Sequence, residues 1–142
     1  MSAAIRPASI EPTFVTRLFG TIQVSPSRMV HFADGLPGFP NSTHFALLPA
    51  QTRALAWLQS LDAPALAFLL IRWGALSEPL GEIGGDAYAI VTLPAQDETA
   101  TANLQAPVII DPVSRAGHQF IRTDAVGRTA VPFDLPTLLQ PA

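Results

Sequence analysis

The sequence of 142 residues contains no cysteine and no lysine. Without cysteine there can be no disulfide, thiolate metal site or cysteine nucleophile, and such a composition fits a reducing compartment. All eight basic residues are arginines, they are dispersed along the chain, and the formal net charge is −3. Because nucleic-acid binding normally requires a clustered basic face, direct binding to nucleic acid is not predicted.

The sequence also lacks an apolar run long enough to span a membrane. A secretory signal has a charged region followed by an apolar stretch, and the first seven residues do not show this pattern. We therefore expect a cytoplasmic protein that makes no membrane contact.

Hydrophobic residues make up 49% of the chain and charged residues only 13%, which is typical of a folded protein with a sizeable core. The longest apolar run covers residues 65–71 and contains no polar side chain. A strand with both faces covered has this pattern, and so does a buried helix. A length of seven residues, with Pro64 before the run and Trp73-Gly74 shortly after it, favours the strand, which we expect at the centre of the sheet. Asp62-Ala63-Pro64 is then a turn that joins it, as a hairpin, to a preceding strand at residues 55–60.

Short apolar or alternating stretches separated by turn residues recur along the rest of the chain. They predict about nine strands and hence a small all-β barrel or sandwich. The predicted strands besides that hairpin lie at residues 17–24, 28–32, 43–49, 87–93, 101–111 (with a kink at Pro107) and 117–123. Residues 17–24 and 28–32 read as the two halves of a hairpin. We predict a single domain at 16–126, a flexible arm at 1–15 and a proline-rich tail at 127–142.

Residues 33–40, Ala-Asp-Gly-Leu-Pro-Gly-Phe-Pro, form the densest group of turn residues. The segment carries two large apolar side chains, Leu36 and Phe39. One interpretation is that both close one end of the core, and the other is that they form an exposed contact for a partner. A second glycine-rich stretch at 72–86 is interpreted as a loop with a short helical turn.

No set of residues with catalytic spacing is visible. The three histidines are far apart in sequence, and neither a nucleophile elbow nor a phosphate-binding loop occurs. We therefore predict no catalytic residue, no metal site and no cofactor. The amides of Asn103 and Gln105 are expected to satisfy backbone groups at the Pro107 kink rather than to bind a ligand. An exposed Trp73 would suit an interface anchor.

The chain resembles the FliW family of flagellar assembly factors over residues 18–121. Five strings occur in the family's order: His-Phe-Ala-Asp-Gly-Leu-Pro-Gly-Phe at 31–39, Phe-Ala-Leu-Leu-Pro at 45–49, Leu-Gln-Ser at 58–60 with Leu-Ala-Phe at 66–68, Ala-Asn-Leu-Gln-Ala-Pro-Val-Ile-Ile-Asp at 102–111, and Arg-Ala-Gly-His-Gln at 115–119. The sequence departs from the family at residues 72–86. Arg72-Trp73 replaces a common Asn-Pro or Asp-Pro there, and the segment is shorter.

The resemblance implies a small antiparallel β-barrel-like fold without enzyme activity. It also implies that the protein binds the RNA-binding regulator CsrA, relieves repression of flagellin synthesis and binds flagellin. Alternatives are a β-barrel that binds a small molecule in its interior and a module that binds flagellin alone. The candidate partner-binding residues are Leu36, Pro37, Phe39, Trp73, Asn103, Gln105 and Pro107.

Overall fold

A computed structural model describes residues 11–81, 83–93 and 99–134. It is built almost entirely from short antiparallel strands, as the sequence predicts. The strands are β1 Thr13–Thr16, β2 Gly20–Gln23, β3 Met29–His31, β4 His44–Pro49, β5 Leu55–Ser60, β6 Ala67–Arg72, β7 Asp86–Thr92, β8 Thr101–Ala102, β9 Val108–Ile110, β10 Gly117–Gln119 and β11 Val131–Pro132. Within the described residues, 3₁₀ turns cover Pro26–Arg28 and Trp73–Leu76.

The predicted central strand is β6. The main sheet runs in the order β10-β9-β7-β6-β5-β4-β3, so β6 has three strands on each side. Its side chains alternate between two cores: Leu70 belongs to one cluster, and Leu69 and Ile71 belong to the other. Because both faces of β6 are covered, an uninterrupted apolar run suits it better than an alternating one.

Two core clusters, one on each face of the sheet, hold the fold together. The first contains Val30, Phe32, Leu36, Phe45, Ala56, Leu58, Leu70, Tyr88, Val108 and Ile110. The second contains Leu55, Leu69, Ile71, Trp73, Ala89, Val91, Ala100, Ala102 and Leu104. Burying one large apolar side chain contributes about 1.5–3 kcal/mol, so these clusters dominate the favourable side of folding.

The sheet curls around the first cluster but does not close into a barrel. Residues from both edge regions, such as Val30 and Val108, meet in that cluster. The edges themselves touch through one bridge, in which the His31 N–H donates to the Arg115 carbonyl at 2.9 Å. The Arg115 Nε adds a bond to the Met29 carbonyl at 3.2 Å. With only three residues in β3, no continuous ladder forms there, and the predicted barrel is an open, curled sheet.

The N-terminal region differs from its prediction. The expected strand at 17–24 is instead a hairpin of β1 and β2, and residues 13–15, assigned to the arm, belong to β1. Thr16 pins the turn, because its Oγ1 donates to the Gly20 carbonyl and accepts from the Phe19 N–H. Gly20 adopts a φ of 70°, which places a turn where periodicity alone suggested continuous strand. Consequently β3 pairs with β4 and not with this segment.

The C-terminal region also contains structure that the sequence did not predict. Val131–Pro132 forms β11, which pairs with β8, and Phe133 packs against the second cluster. Residues 131–133 are therefore part of the sheet and its core rather than a loose tail. Most of the predicted arm and the end of the predicted tail lie outside the described residues.

Gln59 is a fully buried polar residue at the β5–β6 turn. Its Nε2 donates to the carbonyls of Ser60, Pro64 and Leu66 at 2.9, 3.2 and 3.2 Å. One side chain therefore ties both arms of the turn together. This hydrogen-bonding role of the Gln59 amide could not be predicted from the hydrophobic pattern of β5.

Replacing Gln59 with leucine should lower the free energy of unfolding by about 1–2 kcal/mol. The substitution keeps a similar volume but removes the donor that three carbonyls share. Urea denaturation measures the effect. Gln23→Leu, on the exposed side of β2, is the matched control and should change stability by less than about 0.5 kcal/mol. Equal stability of the two variants would contradict this role.

Candidate partner interface

Three of the seven candidate binding residues are buried. Leu36 is 2% exposed and Trp73 is 5% exposed, and Pro107 is buried directly before β9. Side chains enclosed in this way cannot contact a partner on this surface. Their place among the candidate binding residues is therefore corrected: they support the core.

Trp73 illustrates the physical reason. The 3₁₀ turn after β6 folds back over the sheet, so the indole joins the second cluster instead of projecting from a loop. Its Nε1 donates to the Glu78 carbonyl at 2.9 Å, and the Arg122 guanidinium lies 5.5 Å from the ring centroid. The expectation of an exposed Trp73 anchor is wrong. The apolar ring of the indole is buried in the second cluster, and its N–H group has a carbonyl acceptor there, so both are accommodated inside the protein.

Asn103 and Gln105 are half-buried and organise the segment before Pro107. The Asn103 Oδ1 accepts from the N–H groups of Gln105 and Ala106, both at 3.1 Å. The Gln105 Oε1 accepts from the Gly127 N–H at 3.3 Å. The predicted role in satisfying backbone groups at the Pro107 kink is confirmed for Asn103, whereas Gln105 satisfies a backbone group at Gly127 instead. The part of both residues in partner binding stays a prediction.

The 33–40 loop separates its two apolar side chains. Gly35 and Gly38 have φ values of 67° and 87°, which are left-handed conformations that favour glycine. The backbones of Leu36 and Phe39 are hydrogen-bonded to each other: the Phe39 N–H donates to the Leu36 carbonyl at 2.7 Å, and the Leu36 N–H donates to the Phe39 carbonyl at 3.4 Å. This tight turn directs Leu36 into the first cluster and leaves Phe39 42% exposed. Leu36 therefore closes the core, as the first interpretation predicts, whereas Phe39 is exposed and its contact with a partner stays a prediction.

Phe39 is exposed beside other apolar side chains, of which Phe68 is half-buried against the first cluster. The Phe39 ring contacts the Phe68 ring edge-on, with centroids 5.6 Å apart and planes at 73°. The Phe68 and Phe45 ring centroids are 6.4 Å apart. Pro37 and Pro40 are exposed on either side. We call Pro37, Phe39, Pro40 and Phe68 the Phe39 surface. Sequence reasoning missed Phe68, although its place opposite Leu58 in the predicted hairpin was the available signal.

Asp62 holds the neighbouring β5–β6 turn against the start of β4. Its Oδ2 accepts from the N–H groups of Thr43 and His44 at 2.9 and 3.0 Å. The hydrogen bond from the His44 N–H, aided by that from Thr43 and by the nearby imidazole, lowers the pKa of the Asp62 carboxyl. These two hydrogen bonds, which we call the Asp62 clamp, fix the chain that leaves the 33–40 loop. They thereby help to fix the position of the Phe39 surface.

Acidification should destabilise the protein below about pH 4. The lowered pKa of Asp62 means that its stabilising contribution is full above the unfolded-state pKa and is lost as pH falls through the folded-state value. We expect Asp62→Asn to reduce the drop in Tm between pH 6 and pH 3. Only part of the drop should vanish, since hydrogen bonds also lower the pKa values of Glu78, Asp111 and Asp124.

Asp34→Asn is the control for net charge, because Asp34 is exposed and makes no hydrogen bond within the described residues. Thermal unfolding followed by circular dichroism at both pH values provides the comparison. If Asp34→Asn altered the pH profile as much as Asp62→Asn, general charge rather than the clamp would be responsible.

The described residues offer no group of three or more histidine, aspartate or glutamate side chains that could hold a metal ion. Within the same ranges, no helix has the length and hydropathy to cross a membrane. The first cluster fills the inside of the curled sheet with fully buried rings and aliphatic side chains, including Phe32, Phe45 and Tyr88. This packing argues against a ligand inside the sheet.

The FliW protein family model matches residues 13–78 and 85–133. The chain belongs to the FliW family. The break between the two matched parts falls within residues 72–86, where the sequence departs from the family pattern. The matched region also extends past the predicted domain boundaries at both ends, in agreement with the ordered β1 and β11 strands.

Relatives and a solved structure agree with this assignment. The flagellar assembly factor FliW of Moorella thermoacetica is 34% identical over 127 residues, covering 75% of this chain and 78% of the relative. FliW of Anoxybacillus flavithermus is 35% identical over 130 residues, covering 80% and 89%. The crystal structure of the flagellar assembly factor FliW superposes with a TM-score of 0.72 at 29% identity, covering 92% of this chain and 99% of that one.

Proposed function

We propose that this chain is a cytoplasmic, non-enzymatic flagellar assembly factor that binds a CsrA-type translational regulator. Binding would prevent the regulator from repressing flagellin synthesis. The chain would also bind flagellin, so that the amount of unassembled flagellin controls how much of it can reach the regulator.

The observation that carries this proposal is the exposure of Phe39. The Gly-Leu-Pro-Gly-Phe string is among those that link the chain to FliW, and within it Pro37 and Phe39 face solvent while Leu36 supports the core. A large aromatic side chain on a rigid turn suits a protein interface, since aromatic anchors provide much of the binding energy in such contacts. The net charge of −3 favours approach to a basic RNA-binding partner.

The test is calorimetric titration of the full chain with the CsrA homologue of its own organism and, separately, with its flagellin. Saturable binding to CsrA at micromolar concentration or below supports the antagonist role. Binding to flagellin alone would show that the chain is a module that binds only flagellin, and it would contradict the proposed binding to CsrA. No binding to either protein would overturn the proposal.

A further inference from the structure

A cleft of about 300 Å³ lies at the other end of the β5–β6 hairpin. The end of β4, the 50–54 connection and the start of β5 form its walls, with Leu48 and Leu55 among the apolar lining residues. Three arginines, Arg28, Arg53 and Arg72, also line it. We call it the arginine cleft. Its size and mixed lining match sites that accept small ligands or a few side chains.

The three arginines are far apart in sequence and come together through the sheet order. Arg28 immediately precedes β3, Arg53 lies in the β4–β5 connection, and Arg72 ends β6. Three of the eight basic residues of a chain with net charge −3 thus line one cleft. This clustering contrasts with the dispersed arrangement of arginines along the sequence.

Arg72 is held in place before any ligand arrives. Its Nε donates to the Arg53 carbonyl at 2.7 Å, and its Nη1 donates to the Tyr88 hydroxyl at 3.1 Å. The guanidinium also lies over the Tyr88 ring, 5.3 Å from the centroid. A fixed guanidinium loses little conformational entropy on binding, which favours recognition of an anion.

The positive charge of the cleft is not neutralised by the described part of the protein. No aspartate or glutamate is among the described residues that line it. Among the described residues, the ion pairs join Asp62 to His44, Asp124 to Arg122 and Glu78 to Arg128, and none involves an arginine of the cleft. Guanidinium groups bind carboxylate and phosphate oxygens through paired, charge-assisted hydrogen bonds.

We propose that the arginine cleft binds an anion carrying several negative charges on carboxylate or phosphate groups. The site is separate from the Phe39 surface: Phe68 lies near the start of β6 and Arg72 at its end, about 13 Å away at strand spacing. Failure of partner binding at the Phe39 surface would therefore leave this proposal standing, and the reverse also holds. The source of the charged groups is either a small anion or an acidic peptide segment.

Calorimetric titration of the full chain at constant ionic strength tests the site with three multivalent probes: inorganic phosphate, citrate and a hexaglutamate peptide. Acetate is the monovalent comparison. We expect saturable binding of at least one multivalent probe and at least about tenfold weaker binding in Arg53→Gln and in Arg28→Gln. Neither side chain makes a hydrogen bond within the described residues, so both variants should remain folded by circular dichroism.

Arg17→Gln is the matched control, since it removes one exposed arginine away from the cleft and should bind the probes like the unmodified chain. Phosphate or citrate binding that depends on Arg53 assigns a small anion. Binding of hexaglutamate alone assigns an acidic peptide. Absence of saturable binding, or equal weakening in Arg17→Gln, overturns the proposal.

Discussion

Replacing Gly35 with alanine is expected to lower the free energy of unfolding by about 3 kcal/mol. A Cβ at this position would lie 2.4 Å from the Phe39 carbonyl oxygen and 2.7 Å from the Pro40 Cα. Both are backbone atoms of the tight turn and cannot move aside as a flexible side chain can. The left-handed φ of 67° adds about 1–2 kcal/mol for any residue with a Cβ, and the crowding adds about 1–3 kcal/mol.

Gly38 provides a matched control in the same turn. Its φ of 87° is also left-handed, but among the described residues no atom lies within 4 Å of the point that a Cβ would occupy. Gly38→Ala should therefore cost only about 1 kcal/mol, the conformational part of the effect. Urea denaturation of both variants separates the two contributions. Equal destabilisation would show that backbone crowding at Gly35 is relieved by movement of the turn.

Replacing Phe39 with alanine is expected to weaken binding of the protein partner at least about tenfold while the chain stays folded. Truncation removes the exposed ring of the Phe39 surface, including its edge-on contact with Phe68. Because the ring is 42% exposed, the loss of stability should not exceed about 1–2 kcal/mol. Calorimetry with the partner that binds the unmodified chain measures the effect.

Val113→Ala controls for the loss of an exposed apolar side chain in general. Val113 is 90% exposed and lies outside the Phe39 surface, so this variant should retain the affinity of the unmodified chain. Circular dichroism establishes that both variants are folded. Unchanged partner affinity in Phe39→Ala would show that the interface lies elsewhere on the molecule.

Burial rather than chemistry separates the candidate residues that can reach a partner from those that cannot. Leu36 and Phe39 are three positions apart in one turn, yet only Phe39 reaches solvent, because the left-handed conformations of Gly35 and Gly38, each directly before one of the two residues, set the direction of the chain there. Trp73 follows a strand in a glycine-rich segment, and only the 3₁₀ turn brings it onto the second cluster. The direction in which such a side chain points cannot be predicted from residue type and spacing.

The amino-acid sequence by itself determined the central strand, its hairpin, the glycine-dependent turn at 33–40 and the family. These features depend on local patterns: an unbroken apolar run, turn residues at short spacing and strings of adjacent residues. Tertiary structure alone decided that the sheet stays open, that Trp73 is buried and that Arg28, Arg53 and Arg72 share a cleft. Such contacts join residues distant in sequence, and they depend on strand order and curvature, which local periodicity does not encode.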